Sequence, residues 1–197
     1  DYWFNFRTGN FDSGPLWFVF NLLIFSIIYA LCSKLFKYPK NLLSKIKVTN
    51  KSIGILIIAL GFLTFLIRIW FPQTEGIASI HWLNVQVGTL PQYITFFILG
   101  ILCYRFQWLP QFNTKLGKLW LIIVIFCSLF IPILTLISGA IDAGPSILLG
   151  GFGWASFLYA MNEMCLGTAI CVVILCRSQI KLDYHGTFAR FLAKTSY

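Results

Sequence analysis

The chain has 197 residues and a formal net charge of +9, with 58% hydrophobic residues, 11% charged residues and 20 phenylalanines. Soluble globular proteins hold roughly 45–50% apolar and about 25% charged residues, so neither a disordered chain nor a water-soluble monomer fits. With a mean hydropathy of +0.81, what remains is an all-α, polytopic transmembrane helix bundle.

In chain order, Tyr2, Trp3, Phe4 and Phe6 open the sequence as an interfacial aromatic belt. Five apolar stretches follow, at about 16–32, 52–71, 92–104, 119–138 and 153–176. A hydrocarbon core of ~30 Å needs about 20 helical residues. The third stretch is short, but Leu90, Pro91, Phe106 and Trp108 extend its apolar reach. Apolar residues run all round each stretch, and no sustained alternation suggests a β-barrel. Pro132 predicts a kink in the fourth span, with the freed carbonyl met by Ser128 or a neighbour. The glycine-rich segment from Gly139 to Gly153 reads as a flexible loop or shallow re-entrant piece. It follows no strand, so a phosphate-binding fingerprint is excluded.

The basic residues set the orientation. Lys34, Lys37, Lys40, Lys45, Lys47 and Lys51 separate the first two spans. Arg105, Lys115 and Lys118 separate the third and fourth, and Arg177, Lys181, Arg190 and Lys194 follow the fifth. This alternation satisfies the positive-inside rule at every crossing. It puts residues 1–14, 72–91 and 139–152 outside and the lysine-rich segments in the cytoplasm of a cell-membrane protein. Charge clustered in this way points to the bilayer, with no nucleic-acid partner. An exported Asp1 with no signal peptide predicts earlier helices upstream in the same chain.

Four residues are candidates for lining an internal cavity: Glu163, Arg68, Asn21 and Trp17. Glu163 lies about 15 Å into the fifth span, where an ionisable group costs ~2.5–3.5 kcal/mol on insertion scales. Ser156, Ala160, Gly167 and Cys171 share its face, a small-residue stripe that predicts an inward direction. It is either a functional carboxylate or a hydrogen-bonded packing residue. Arg68 shares a stripe with Gly54, Ile58, Gly61 and Phe65. By depth it sits only ~5 Å below the outer end of its span, so pairing with Glu163 must bridge ~10 Å. Snorkelling to the outer surface competes with that pairing. Asn21, on one face with Trp17 and Phe25, reads as interhelical glue. His81 and His185 lack a second ligand at metal-binding spacing, so no metal site is expected. The six cysteines form no C-x-x-C pair and read as small apolar packing residues.

Three stretches in order resemble the integral-membrane acyltransferase family 3, the bacterial multi-pass O-acyltransferases. The first is Gly14-Pro15-Leu16-Trp17-Phe18, running on through Asn21 to Tyr29 and Ala30. The second is Leu90-Pro91-Gln92-Tyr93-Ile94, continuing through Phe97 and Gly100 to Tyr104-Arg105. The third joins Trp154-Ala155-Ser156-Phe157, Glu163 and the tail from Arg190 to Tyr197. The resemblance covers nearly the whole chain. It implies an enzyme moving an acyl group, often acetyl, from cytoplasmic acyl-CoA to a hydroxyl of a carbohydrate or similar acceptor at the outer face. No cofactor is implied beyond acyl-CoA (acetyl-CoA) as donor substrate.

The family's catalytic His and accompanying Arg residues belong to its early helices, and no residue here matches them. Neither His81 nor His185 inherits the role, and Asn162 stands before Glu163 where the family-like pair is Trp-Glu. The resemblance therefore implies the C-terminal portion of such an enzyme, inactive alone, with no catalytic residue in these 197. Two other readings are a transporter or flippase segment, suggested by Glu163, Pro132 and the glycine-rich loop, and a non-catalytic membrane subunit.

Overall fold

The structure, a computed structural model, describes residues 17–35, 48–73 and 87–181. They form an all-α bundle, and no strand occurs among the described residues. The long helices are α1 (Trp17–Leu35), α2 (Asn50–Trp70), α3 (Leu90–Arg105) and α4 (Thr114–Ile137). Two single-turn helices, α5 (Ala140–Ala143) and α6 (Ser146–Leu149), lead into α7 (Trp154–Lys181). Segments Asn50–Trp70, Val87–Arg105, Thr114–Ile137 and Trp154–Gln179 are long and apolar enough to cross a bilayer, and α1 adds the shorter apolar stretch Phe18–Ser33. The third crossing gains its length at the front, where a 3-10 turn (Val87–Thr89) runs directly into α3.

Local chemistry fixes the helix starts. Thr49 caps α2 by accepting from the Ser52 backbone N–H, while the Ser52 hydroxyl accepts from the Thr49 N–H. This is a capping box with Ser in place of the usual Glu. Asn113 Oδ1 accepts from Leu116 N–H at 2.9 Å and caps α4. Pro91 occupies the first turn of α3, where a missing N–H costs nothing. Past the end of α4, Gly139 adopts φ 72°, the left-handed conformation that a glycine accepts without a Cβ penalty. Pro132 lies on the exposed side of α4, and the helix continues through it.

The core is a three-helix unit of α2, α4 and α7. Ile53, Ile57 and Leu60 of α2, Leu116 and Trp120 of α4, and Met164, Ala169, Val172 and Cys176 of α7 form one buried cluster. Directions follow from particular contacts. The Trp120 Nε1–H donates to Asn50 Oδ1 at 3.1 Å, so α2 and α4 start at the same end. The Asn162 amide donates to the Cys127 carbonyl at 3.3 Å, while Leu134 packs near Ala155, so α7 runs antiparallel to α4. Outside this unit, α1 lies against α3 through Phe25–Phe97 (5.6 Å between ring centroids) and Tyr29–Phe97 (6.4 Å). In consequence α2 and α4 begin, and α3 and α7 end, at the end of the bundle from which the basic segments depart.

Ile122, Phe126 and Ile137 of α4 are each more than two-thirds exposed, and Ile55 of α2 is 68% exposed. A soluble protein does not tolerate an apolar surface of this extent. In a bilayer it is the lipid-facing wall, while the helices satisfy their own backbone groups.

The segment after α4 is a folded cap rather than a loose loop. Ala140 and Leu148 are buried with Leu134 and Ala155 in a small second core. Gly151 N–H donates to the Arg68 carbonyl at 3.2 Å and Gln73 N–H to the Leu149 carbonyl at 2.9 Å. The first of these bonds satisfies an end carbonyl of α2 that has no intrahelical partner. Gly150 packs so close to Pro72 that a Cβ there would lie 2.9 Å from the Pro72 Cα.

Candidate functional site

Near the capped end of the bundle, α2, α3 and α7 bring four polar groups together. Arg68 Nη1 lies 2.7 Å from Glu163 Oε2. The contact is an ion pair whose angles are not those of a directed hydrogen bond. Gln92 Nε2 donates to Glu163 Oε1 at 3.2 Å, and Arg68 Nε donates to the Gly88 carbonyl at 3.4 Å. The Arg68 side chain is fully buried, whereas that of Glu163 is 28% exposed. Arg68 Nη2 is buried and meets no hydrogen-bond acceptor among the described residues. Gly88 lets the 3-10 turn close on the guanidinium stem, since a Cβ there would sit 2.9 Å from the Phe71 carbonyl oxygen and 3.2 Å from Arg68 Cγ.

The depth expectation for Arg68 is thereby corrected: it does not snorkel outward but pairs with Glu163. Contacts between Gly61 and Met161, and between Phe65 and Phe157, set the register of α2 against α7. In that register the Arg68 Cα lies about nine residues, or roughly 13 Å, closer to the capped end than the Glu163 Cα. Side chains tilt toward the N-terminus of their own helix. Because α2 and α7 are antiparallel, Arg68 leans away from the capped end and Glu163 leans toward it. The two tilts and two side-chain lengths close a gap that Cα depth alone leaves open.

The small-residue stripes are corrected in part. Gly61 does admit a close neighbour, Met161, but Gly54 has nothing within 4 Å of a Cβ position and Ile58 is 61% exposed. The face of α2 that packs is Ile53, Ile57, Leu60, Gly61, Thr64, Phe65 and Arg68. On α7, Ser156 and Ala160 are fully buried, while Gly167 meets nothing within 4 Å and Cys171 is exposed. Asn162 holds α7 to α4 through its bond to Cys127, a packing role for the residue preceding Glu163.

Asn21 is buried on α1, one turn before Phe25. Trp17 opens α1 and its side chain lies outside the described residues, as do Tyr2, Trp3, Phe4, Phe6, His81 and His185. Gln92 is the site residue that side-chain type alone did not single out; its signal is a polar residue just after Pro91 in the first turn of a membrane helix. Ser156, whose buried hydroxyl has no partner among the described residues, shares the α7 face with Glu163. All six cysteines are free thiols, and among the described residues no group of three His, Cys, Asp or Glu is placed to hold a metal.

No protein-family model matches the chain, and neither a curated protein nor a solved structure is significantly similar to it. The site is thus characterised by its own chemistry. A guanidinium locked by a carboxylate on one side and a carbonyl on another presents its remaining N–H groups in a fixed direction. In a low-dielectric setting such a group stabilises a nearby oxygen that carries or develops negative charge.

Proposed function

We propose that the chain is the C-terminal portion of a polytopic membrane acyltransferase, transferring an acyl group from cytoplasmic acyl-CoA to a hydroxyl of a carbohydrate or similar acceptor. One observation carries this reading: the described parts of the three stretches that resemble the acyltransferase family lie in contact, the first on the second and the second on the third. Gln92 of the second bonds Glu163 of the third, and Phe25 and Tyr29 of the first pack on Phe97 of the second. In this reading Glu163, the partly exposed member of the pair, faces the acceptor, while the enclosed Arg68, with Gln92, holds the carboxylate in place. The base belongs to helices upstream, so the 197 residues alone do not turn over. The capped end of the bundle faces outside and the lysine-rich end the cytoplasm of a cell membrane, in accord with the charge alternation.

The test is to express the full parental reading frame in membranes, supply labelled acetyl-CoA and assay surface glycan for label. Transfer that falls severalfold in Glu163→Gln and vanishes on removing an upstream His supports the enzyme; unchanged turnover in Glu163→Gln removes the carboxylate from the site. A transport reading draws on the same intramembrane ion pair. Uptake or efflux without label transfer is the result that favours it.

A further inference from the structure

At the opposite, basic end, α3 diverges from α2 and α7 and leaves a cavity of about 640 Å³. Its wall is almost wholly apolar, with Ile53, Leu56, Phe96, Leu99, Val172 and Leu175 among its residues. Ile174 also lines it and is 58% exposed, so the cavity opens sideways onto the lipid-facing surface. Trp108 lines it at the end of α3; its indole N–H is buried and has no partner among the described residues. A buried donor left unmade costs far more than one that finds an acceptor. A second hollow between α1 and α3 holds Tyr29 and Arg105 and shares Phe96, Gly100 and Tyr104 with the first. The Arg105 guanidinium stands 5.6 Å from the Tyr29 ring centroid, a cation–π contact that fixes its direction.

We propose that these two adjoining hollows together bind one anionic glycerophospholipid of the surrounding leaflet, laid across their shared border at Gly100. An acyl chain fills the apolar cavity, an ester carbonyl accepts from the Trp108 N–H, and the phosphate rests against Arg105. The depths agree. Arg105 is the last residue of α3 and Trp108 follows within one turn, at the interfacial level where ester carbonyls and phosphates lie. A pure hydrocarbon leaves the indole N–H unmet, and a zwitterionic headgroup gains less from the cation. An acyl-CoA carries several phosphates, whereas among the described residues Arg105 is the one cation lining the two hollows. Basic pockets between membrane helices are recognised sites for anionic headgroups. This assignment is independent of the transfer chemistry at the other end.

The test uses the full chain in phosphatidylcholine nanodiscs with a trace of phosphatidylglycerol carrying a diazirine in its acyl chain, read by mass-spectrometric mapping of the photoadducts. Adducts are expected in 96–104 and 168–175, and an equal trace of diazirine phosphatidylcholine should label them roughly tenfold less. Arg105→Gln should erase that preference, and Trp108→Phe, which keeps a ring but loses the N–H, should lower labelling roughly fivefold. Labelling on the lipid-facing wall of α4 should persist in both variants and reports that they are folded. Equal labelling by the two lipids, labelling untouched by both substitutions, or no adducts in these segments overturns the assignment. Adducts from a diazirine acyl-CoA that phosphatidylglycerol does not displace overturn it too, and assign the cavity to a thioester.

Discussion

The Arg68–Glu163 pair makes an asymmetric prediction, because the two partners are buried to different degrees. Arg68 is completely enclosed, while Glu163 retains 28% of its side-chain exposure. Glu163→Gln leaves a fully buried guanidinium with no counter-charge among the described residues, and breaking a buried pair in this way costs on the order of 3 kcal/mol. Arg68→Met leaves a carboxylate that is still hydrogen-bonded to Gln92 and partly exposed. That variant should lose only about 1 kcal/mol. The double variant removes both charges and should resemble Arg68→Met, giving a coupling energy of about 2–3 kcal/mol. The assay is reversible SDS unfolding of the purified chain in mixed micelles, followed by tryptophan fluorescence. Equal and additive losses in the two single variants would refute the pairing and the burial asymmetry together.

Two glycines on α2 should respond with opposite signs. Gly61→Ala places a methyl against Met161 and should destabilise by about 1–3 kcal/mol. Gly54→Ala enters open space and should stabilise by up to about 1 kcal/mol, both read as shifts of the SDS midpoint. Asn113→Ala removes the α4 cap bond to Leu116 and should cost about 1 kcal/mol, whereas Asn113→Asp should hold most of it, checked in the same unfolding assay. Gly117→Cys faces Cys176 across α4 and α7, with its Cβ 2.8 Å from the Cys176 Cβ. Mild oxidation should join the two after a small adjustment of the helices, and a new disulfide mapped by mass spectrometry after proteolysis checks that register.

The gross architecture was legible in the chain because a bilayer imposes one strong rule, that a crossing helix must be long and apolar. Composition and the five apolar stretches carried that much, and the small residues near Glu163 pointed it inward. Three features lay beyond a reading of single segments. The Arg68–Glu163 pair depends on the opposed tilts of two antiparallel helices, and Cα depth along one helix contains neither partner's lean. The packing face of α2 is set by Met161 and Met164 across the interface, so the glycine periodicity at Gly54 and Gly61 marked one true contact and one open position. The stretch from Gly139 to Gly153 looked loose because glycines dominate it. Its order comes from Ala140 and Leu148 packing into a small core with Leu134 and Ala155 and from backbone bonds to α2 and the residues just after it.

Gln92 illustrates the same limit at the site. As a letter it is one polar residue after a proline; it gains meaning only when α3 sets it 3.2 Å from a carboxylate 71 residues further along the chain. Trp108 is similar, since an interfacial tryptophan is commonplace and only its enclosure without an acceptor among the described residues distinguishes it.

The most direct test of the account is a side-specific labelling map of the chain in sealed membranes, using a thiol reagent that does not cross the bilayer. With native cysteines replaced, Asp142→Cys in the cap should react from outside, while Lys51→Cys and Lys118→Cys should react only after the membrane is opened. Reaction of all three from the same side would contradict helices that span the bilayer between a capped outer end and a basic inner one.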